Sequence, residues 1–209
     1  TFAATANAAR YLGASVRFVD VSPDTGNLDP AAVREAIGPK TKLIVPVDFG
    51  GHPADYDALR GIANAHDLLL VADASHSLGG SYNGQPVGTV ADLTTVSLHP
   101  IKPVTTGEGG AVLTNGHEWA ERARVFRNHG IVRDRSVMRR ADEGAWYTEM
   151  HMLGFNYRLT DFQCALGTSQ LKKLSPFIER RRLIANRYTE AFADLDGIEL
   201  PILRPGSTS

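Results

Sequence analysis

Apolar positions along this chain follow two rhythms, a helical one near 3.6 residues and short continuous runs, and the two alternate. Residues 3–12 are alanine-rich and stop at Gly13, which predicts a short helix. Residues 15–19 then read as a strand ending at Asp20. Asp29 in front of Pro30 has the form of a helix N-cap, so residues 30–37 are predicted helical. A strand is predicted over 42–46 and a helix over 53–65, with Leu59, Ile62 and Ala63 on its buried face. The apolar run at 68–72 has the composition of a strand covered on both faces of a parallel sheet. Residues 93–98 and 111–114 supply two more strands, followed by a helix over 118–127. A polar, irregular stretch covers 130–149, and two helices are predicted over 160–174 and 176–195.

Strands and helices in alternation over about the first 130 residues imply an α/β fold, a mainly parallel sheet flanked by helices. The division expected is a large domain over residues 1–158 and a helical connection into a second, incomplete lobe over 159–209. In open sheets of this kind ligands collect beyond the carboxyl ends of the strands. That rule singles out Asp20, Asp48, Asp73 with His76, and the segment from Ser97 to Lys102.

Composition narrows the classes. The chain has 209 residues, 43% of them apolar, enough for a sizeable core. A net charge of -1 gives no global pull toward nucleic acid or a membrane surface. One cysteine, Cys164, excludes a disulfide framework and a cysteine-rich zinc site, and favours a reducing, cytoplasmic setting. No apolar run reaches the length of a spanning helix. The chain opens at Thr1 in mid-pattern and ends in LRPGSTS, so a missing start and an interrupted second lobe are expected.

Lys102 carries the most chemistry. It stands in SLHPIKPVTTGEGGAV, close to Pro100 and Pro103 and ahead of Gly107, Gly109 and Gly110. Prolines stiffen such a loop, and glycines allow tight turns and the close approach of a flat ligand. Taken alone it is equally a loop lysine. Asp73 is by itself a turn or capping aspartate, or else the counter-ion of a protonated ring nitrogen. His76 is a core histidine or a hydrogen-bond donor to a bound oxygen. Together they change the picture. An aspartate after one buried strand, then a serine and a lysine five apart after another, meets the needs of pyridoxal phosphate. The lysine forms its Schiff base, the aspartate pairs its pyridinium nitrogen and the hydroxyl meets its phosphate.

The blocks TFAATANAARYLGA, IVPVDFGGHPAD, VADASHSLG, SLHPIKPVTTGEGGAVLTN, RNHG and LGFNYRLTDFQCALGTSQLKKL resemble successive motifs of the DegT-like sugar aminotransferases. The histidine of DASHS, HPIKPVTTGEGG and CALGTSQLKKL are most similar to the subgroup that acts as UDP-4-amino-4,6-dideoxy-N-acetyl-β-L-altrosamine transaminases in pseudaminic acid biosynthesis. The resemblance implies the large domain of a fold type I, aspartate-aminotransferase-like enzyme dependent on pyridoxal 5'-phosphate. Glutamate would be the amino donor, leaving as 2-oxoglutarate, and a UDP-linked 4-keto-6-deoxy sugar the acceptor. Carried over by position, Lys102 would be the Schiff-base lysine and proton shuttle, and Asp73 the partner of the ring nitrogen. His76 would lie near the phenolic oxygen, Ser97 at the phosphate and Phe2 against the ring. Asn156 would reach the phosphate bound by a neighbouring subunit, making the active site a property of a homodimer. His99 and Arg158 are substrate-side candidates, and Arg133, Arg135, Arg139 and Arg140 are candidates to clamp a diphosphate. A sugar dehydratase of the same fold, or a binding module without catalysis, is the alternative; a lysine rather than a histidine at position 102 argues against the dehydratase.

Overall fold

The computed structural model describes residues 2–209. Its central sheet is built from β1 (Leu43–Ile44), β2 (Leu69–Asp73), β5 (Leu93–Ser97) and β6 (Gly110–Leu113), in the order β1-β2-β5-β6. The first three strands run parallel, whereas β6 is antiparallel to β5. The sheet is thus mainly parallel as expected, and the antiparallel edge has a simple cause. Parallel neighbours need a crossover, usually helical. The chain from Leu98 to Gly109 instead folds back on itself as the loop that carries Lys102.

Six helices occur along the chain, α1 (Ala3–Tyr11), α2 (Pro30–Ala36), α3 (Tyr56–Ala65), α4 (His117–Phe126), α5 (Asp161–Leu171) and α6 (Leu174–Phe192), and α3 packs on β1 and β2 of this sheet. Asp29 caps α2, its side chain accepting from the Ala31 amide, and Leu59, Ile62 and Ala63 of α3 are buried as their spacing predicts. They pack with Val33, Ile44, Tyr56, Leu70 and Ala72 into the principal core between α2, α3 and the sheet. A smaller cluster of Ala74, Val87 and Val96 lies beside it.

Three expectations are corrected. Residues 15–19 form no strand, and Asp20 therefore stands at no strand end. Extended backbone becomes a strand only when a neighbour pairs with it, and here the one pairing nearby is an isolated bridge between Val21 and Leu28. Strand β2 is not closed in on both faces: Leu70 and Ala72 are buried against α3, but Leu69, Val71 and Asp73 are only half-buried. The polar stretch 130–149 is not wholly irregular, because β7 (Ile131–Val132) and β8 (Glu149–Met150) pair and close it into a loop. A small antiparallel sheet of β3 (Ser81–Tyr82), β4 (Gln85–Pro86) and β9 (Ser207–Thr208) returns the tail of the chain to the large sheet's surroundings.

Candidate active site

Asp73 is the last residue of β2, with its backbone locked on both sides. Its amide donates to the Pro46 carbonyl, and its own carbonyl accepts from the Asp48 amide at 3.0 Å. Across β5 it is in register with Thr95. The side chain therefore leaves the sheet at a fixed point. Its Oδ1 accepts from the Ser75 amide at 3.1 Å and the Ser75 hydroxyl at 2.6 Å, and its Oδ2 accepts from the Thr5 hydroxyl at 2.5 Å. A carboxylate offers about four acceptor positions. These three donors leave one, on Oδ2.

Behind this turn lies Asp48, fully buried. Its carboxylate accepts from the Ala54 amide, the Tyr56 hydroxyl at 2.7 Å and the Ser77 hydroxyl at 2.5 Å. Burial pushes this carboxyl up from its ordinary range, and the three donors pull against that. Burial and the Asp48 charge push the Tyr56 phenol up as well, which keeps its proton in place as a donor. Asp48 so holds the turn that carries His76, gripping its far end through Ser77 and its near end through the Asp73 carbonyl.

His76 has an Nδ1 that is buried and has no hydrogen-bond partner among the described residues. Burial, then the positive charge of Lys102, push its pKa down, while Asp73 acts the other way. Asp73 and Lys102 are thus both within electrostatic reach of His76.

Lys102 is half-buried, and no ion pair among the described residues involves it. Its amide donates to the His99 carbonyl at 3.0 Å, closing a β-turn with Pro100 in its second position. The loop is tied at its neck: the Leu98 amide donates to Gly109, and the Leu98 carbonyl accepts from the Thr106 amide and the Thr105 hydroxyl. Val104 and Thr106 are buried beneath it. Helix α5 presses on the same loop. Gln163 donates to the Glu108 carbonyl at 2.8 Å, and a Cβ on Gly167 would run into the Thr106 methyl. Gly109 is needed for the same reason, since a Cβ there would meet Thr106 and Leu159.

Ser97 ends β5, and its hydroxyl accepts from the His99 amide at 3.3 Å. His99 turns toward Glu108 across the loop, with 3.8 Å between Nε2 and the carboxylate. Phe2 is the N-cap residue of α1 and three-quarters exposed, one helical turn before Thr5. Asn156 and Arg158 are on an exposed segment bridged to Asn128, just ahead of Leu159, which packs against Gly109 of the loop; Arg158 donates to the Asn128 side chain at 2.7 Å. Within this chain they make no contact with the Lys102 loop that the hydrogen bonds or ion pairs record.

Sequence reasoning passed over Thr5, Ser75 and Asp48's part in the turn. Thr5 sits three residues after Phe2, a spacing that puts both on one helix face, but nothing in that spacing points to Asp73.

The loop between β7 and β8 lines an open cavity of about 360 Å³, bounded by Arg133, Arg135, Arg140, Trp146 and Tyr147 among others. The Arg140 guanidinium lies over the Tyr147 ring at 5.3 Å and pairs with Glu143. Nearly buried Glu149 ties the loop's neck, accepting from the Arg139 and Arg140 amides and contacting His151 Nε2 at 2.7 Å. Those contacts pull its pKa down to about 2. No residue of the Lys102 cluster lines this cavity.

The donor set around Asp73 fits pyridoxal phosphate: one free carboxylate position, an unpartnered buried imidazole nitrogen, an uncommitted amine and a hydroxyl at a strand end. Among known proteins, the UDP-4-amino-4,6-dideoxy-N-acetyl-β-L-altrosamine transaminase of Campylobacter jejuni is 43% identical over 195 residues, 92% of this chain and 49% of its own length. The structure of Helicobacter pylori PseC, an aminotransferase of pseudaminic acid biosynthesis, superposes with a TM-score of 0.86 at 36% identity, covering 94% of this chain and 50% of that one. Spr1654 of Streptococcus pneumoniae, described as a sugar aminotransferase and solved in its PLP form, gives a TM-score of 0.82 at 29% identity, over 93% of this chain and 52% of its own. The chain spans about half the length of the curated relatives it matches. The family description of the DegT/DnrJ/EryC1/StrS aminotransferases matches residues 1–208, and the chain belongs to that family.

Proposed function

We propose that this chain is the cofactor-binding part of a pyridoxal-phosphate-dependent aminotransferase acting on a nucleotide sugar. The observation that carries the reading is the convergence of Asp73, His76 and Lys102 at the carboxyl ends of β2 and β5. When bound, pyridoxal phosphate supplies an aldehyde that condenses with amines and a ring that accepts electrons from an adjacent carbon.

The chain's own residues supply the rest. Lys102 Nζ is the amine that anchors the cofactor and, once freed, carries a proton to and from the substrate carbon. Its closed loop keeps the amine at one height above β5, while the half-buried setting limits competing water. The free position on Asp73 Oδ2 accepts from the ring nitrogen. The His76 imidazole faces the phenolic side, Ser97 the phosphate, and the exposed face of Phe2 the ring plane. Asn156, which makes no hydrogen bond to these residues in its own chain, serves the cofactor of a second copy in a homodimer.

The amino donor is glutamate and the acceptor a UDP-linked 4-keto-6-deoxy sugar, in a pathway such as pseudaminic acid formation. The named activity of the Campylobacter jejuni relative supports this choice. Arg133, Arg135 and Arg140 around the loop cavity, with Arg139 beside them, provide the cations a diphosphate needs, and His99 and Arg158 are the other substrate-side groups. The functional division falls near residue 158, with 159–209 leading toward a second lobe. No helix among the described residues is long and apolar enough to cross a membrane; a cytoplasmic setting belongs to the same proposal.

The test is direct. Full-length protein should be yellow, should bleach on borohydride reduction, and should retain the reduced label on Lys102. Substituting Lys102→Ala should lower transamination by at least about 10²–10⁴-fold. Protein that binds the cofactor without a reducible link to Lys102 would sink the proposal, and a panel of UDP-4-keto sugars would fix the acceptor.

A further inference from the structure

We infer that Thr5 is a positioning residue that sets the direction in which Asp73 presents its one free acceptor position. The inference rests on the reading of Asp73 above. Both hydroxyl contacts to this carboxylate are short, but they come from different places. Ser75 is two residues away and engages Oδ1 twice, through its amide and its hydroxyl. Thr5 comes from α1, 68 positions earlier in the chain, and among the described residues is the one donor to Oδ2.

A carboxylate held on one oxygen can still swing about its Cβ–Cγ bond. Held on both, it cannot. With three of about four acceptor positions taken, the remaining one lies on the oxygen that Thr5 holds. The direction of that lone pair is therefore decided by α1, not by the strand that carries Asp73. The same helix brings Phe2 to its N-terminus, three residues before Thr5, so one rigid turn fixes both the carboxylate and the aromatic face. Helix α1 has no buried residue of its own. Its link to the sheet through Thr5 is thus the more consequential, and losing the hydroxyl threatens the site rather than the core.

The experiment uses the full-length protein stripped of cofactor and titrated with pyridoxal phosphate, followed by absorbance, with thermal melts of the cofactor-free forms alongside. Thr5→Val removes the hydroxyl and keeps the volume, and Thr5→Ser keeps the hydroxyl. We expect T5V to weaken cofactor binding by roughly tenfold, the scale of one charge-assisted hydrogen bond, with an unchanged cofactor-free melt. T5S should stay within about twofold of the parent on the same scale. In a D73N background, T5V should cost little more, because both changes act on one contact. Parental affinity in T5V, equal losses in T5S and T5V, or a full additional loss in the double variant would each overturn the inference. Parental affinity in D73N alone would instead strike down the reading of Asp73 itself, and this inference with it.

Discussion

Asp48 illustrates how a residue without a place in the chemistry can still decide it. Its carboxylate is buried, pairs with no cation among the described residues and lives on three donors, from Ala54, Tyr56 and Ser77. Replacing it by alanine leaves those donors without an acceptor. The Asp48→Ala protein should lose about 3 kcal/mol in urea denaturation, since each buried unsatisfied donor costs about 1–3 kcal/mol. A loss below about 1 kcal/mol would mean that water replaces the carboxylate easily. At this scale the sequence was legible where one residue's role follows from its neighbours in the chain. Asp73, His76 and Lys102 each follow an apolar run closely, and the strand-end rule found them. It did not find Thr5, because a hydroxyl on an alanine-rich helix carries no local mark of the carboxylate it will meet.

Among the elements, the loop between β7 and β8 has its own stability argument. Glu149 is held well below the usual carboxylate range, at about 2 against 4.5, by His151 first and then by the Arg139 amide. A depressed acid contributes stability above its unfolded value, and that contribution fades as pH falls from about 4.5 toward 2. The amide resonances of Arg139 and Arg140 should therefore titrate near pH 2 and stay flat through the neutral range; movement centred near 4.5 would mean the neck is open in solution. Helices were the most readable elements, because capping and 3.6-residue spacing are local. Asp29 and the buried face of α3 fell where the pattern predicted. The supposed strand at 15–19 failed because β structure is completed by a partner, and no local pattern reveals a missing neighbour. The reversal of β6 was hidden in the same way: a glycine-rich loop of that length is compatible with either direction until its neck bonds are known.

Taken as one molecule, the chain exposes large apolar side chains well away from its core. Tyr11 and Leu12 are exposed by 84% and 83%, Leu153 by 83% and Phe162 by 90%. Contiguous apolar surface beyond a few hundred Å² is uncommon on a protein that works alone. If the proposed homodimer uses the surface near Asn156, then Leu153→Lys together with Phe162→Lys should shift the full-length protein from dimer to monomer in sedimentation velocity. An unshifted dimer would move the interface elsewhere. The α/β class was readable from alternation alone, since burying strands between helices leaves few other solutions. The antiparallel pairing of β3 with β9 was not, as it joins residues more than a hundred positions apart.

The grip of α5 on the lysine loop reaches beyond packing. Gln163 holds the Glu108 carbonyl, and the bare backbone of Gly167 lets the helix settle against Thr106. A displacement of α5 would therefore be passed straight to the loop, a few residues from Lys102. Such a lever would let movement in the helix tune how far the Lys102 side chain can stretch, without any messenger in between.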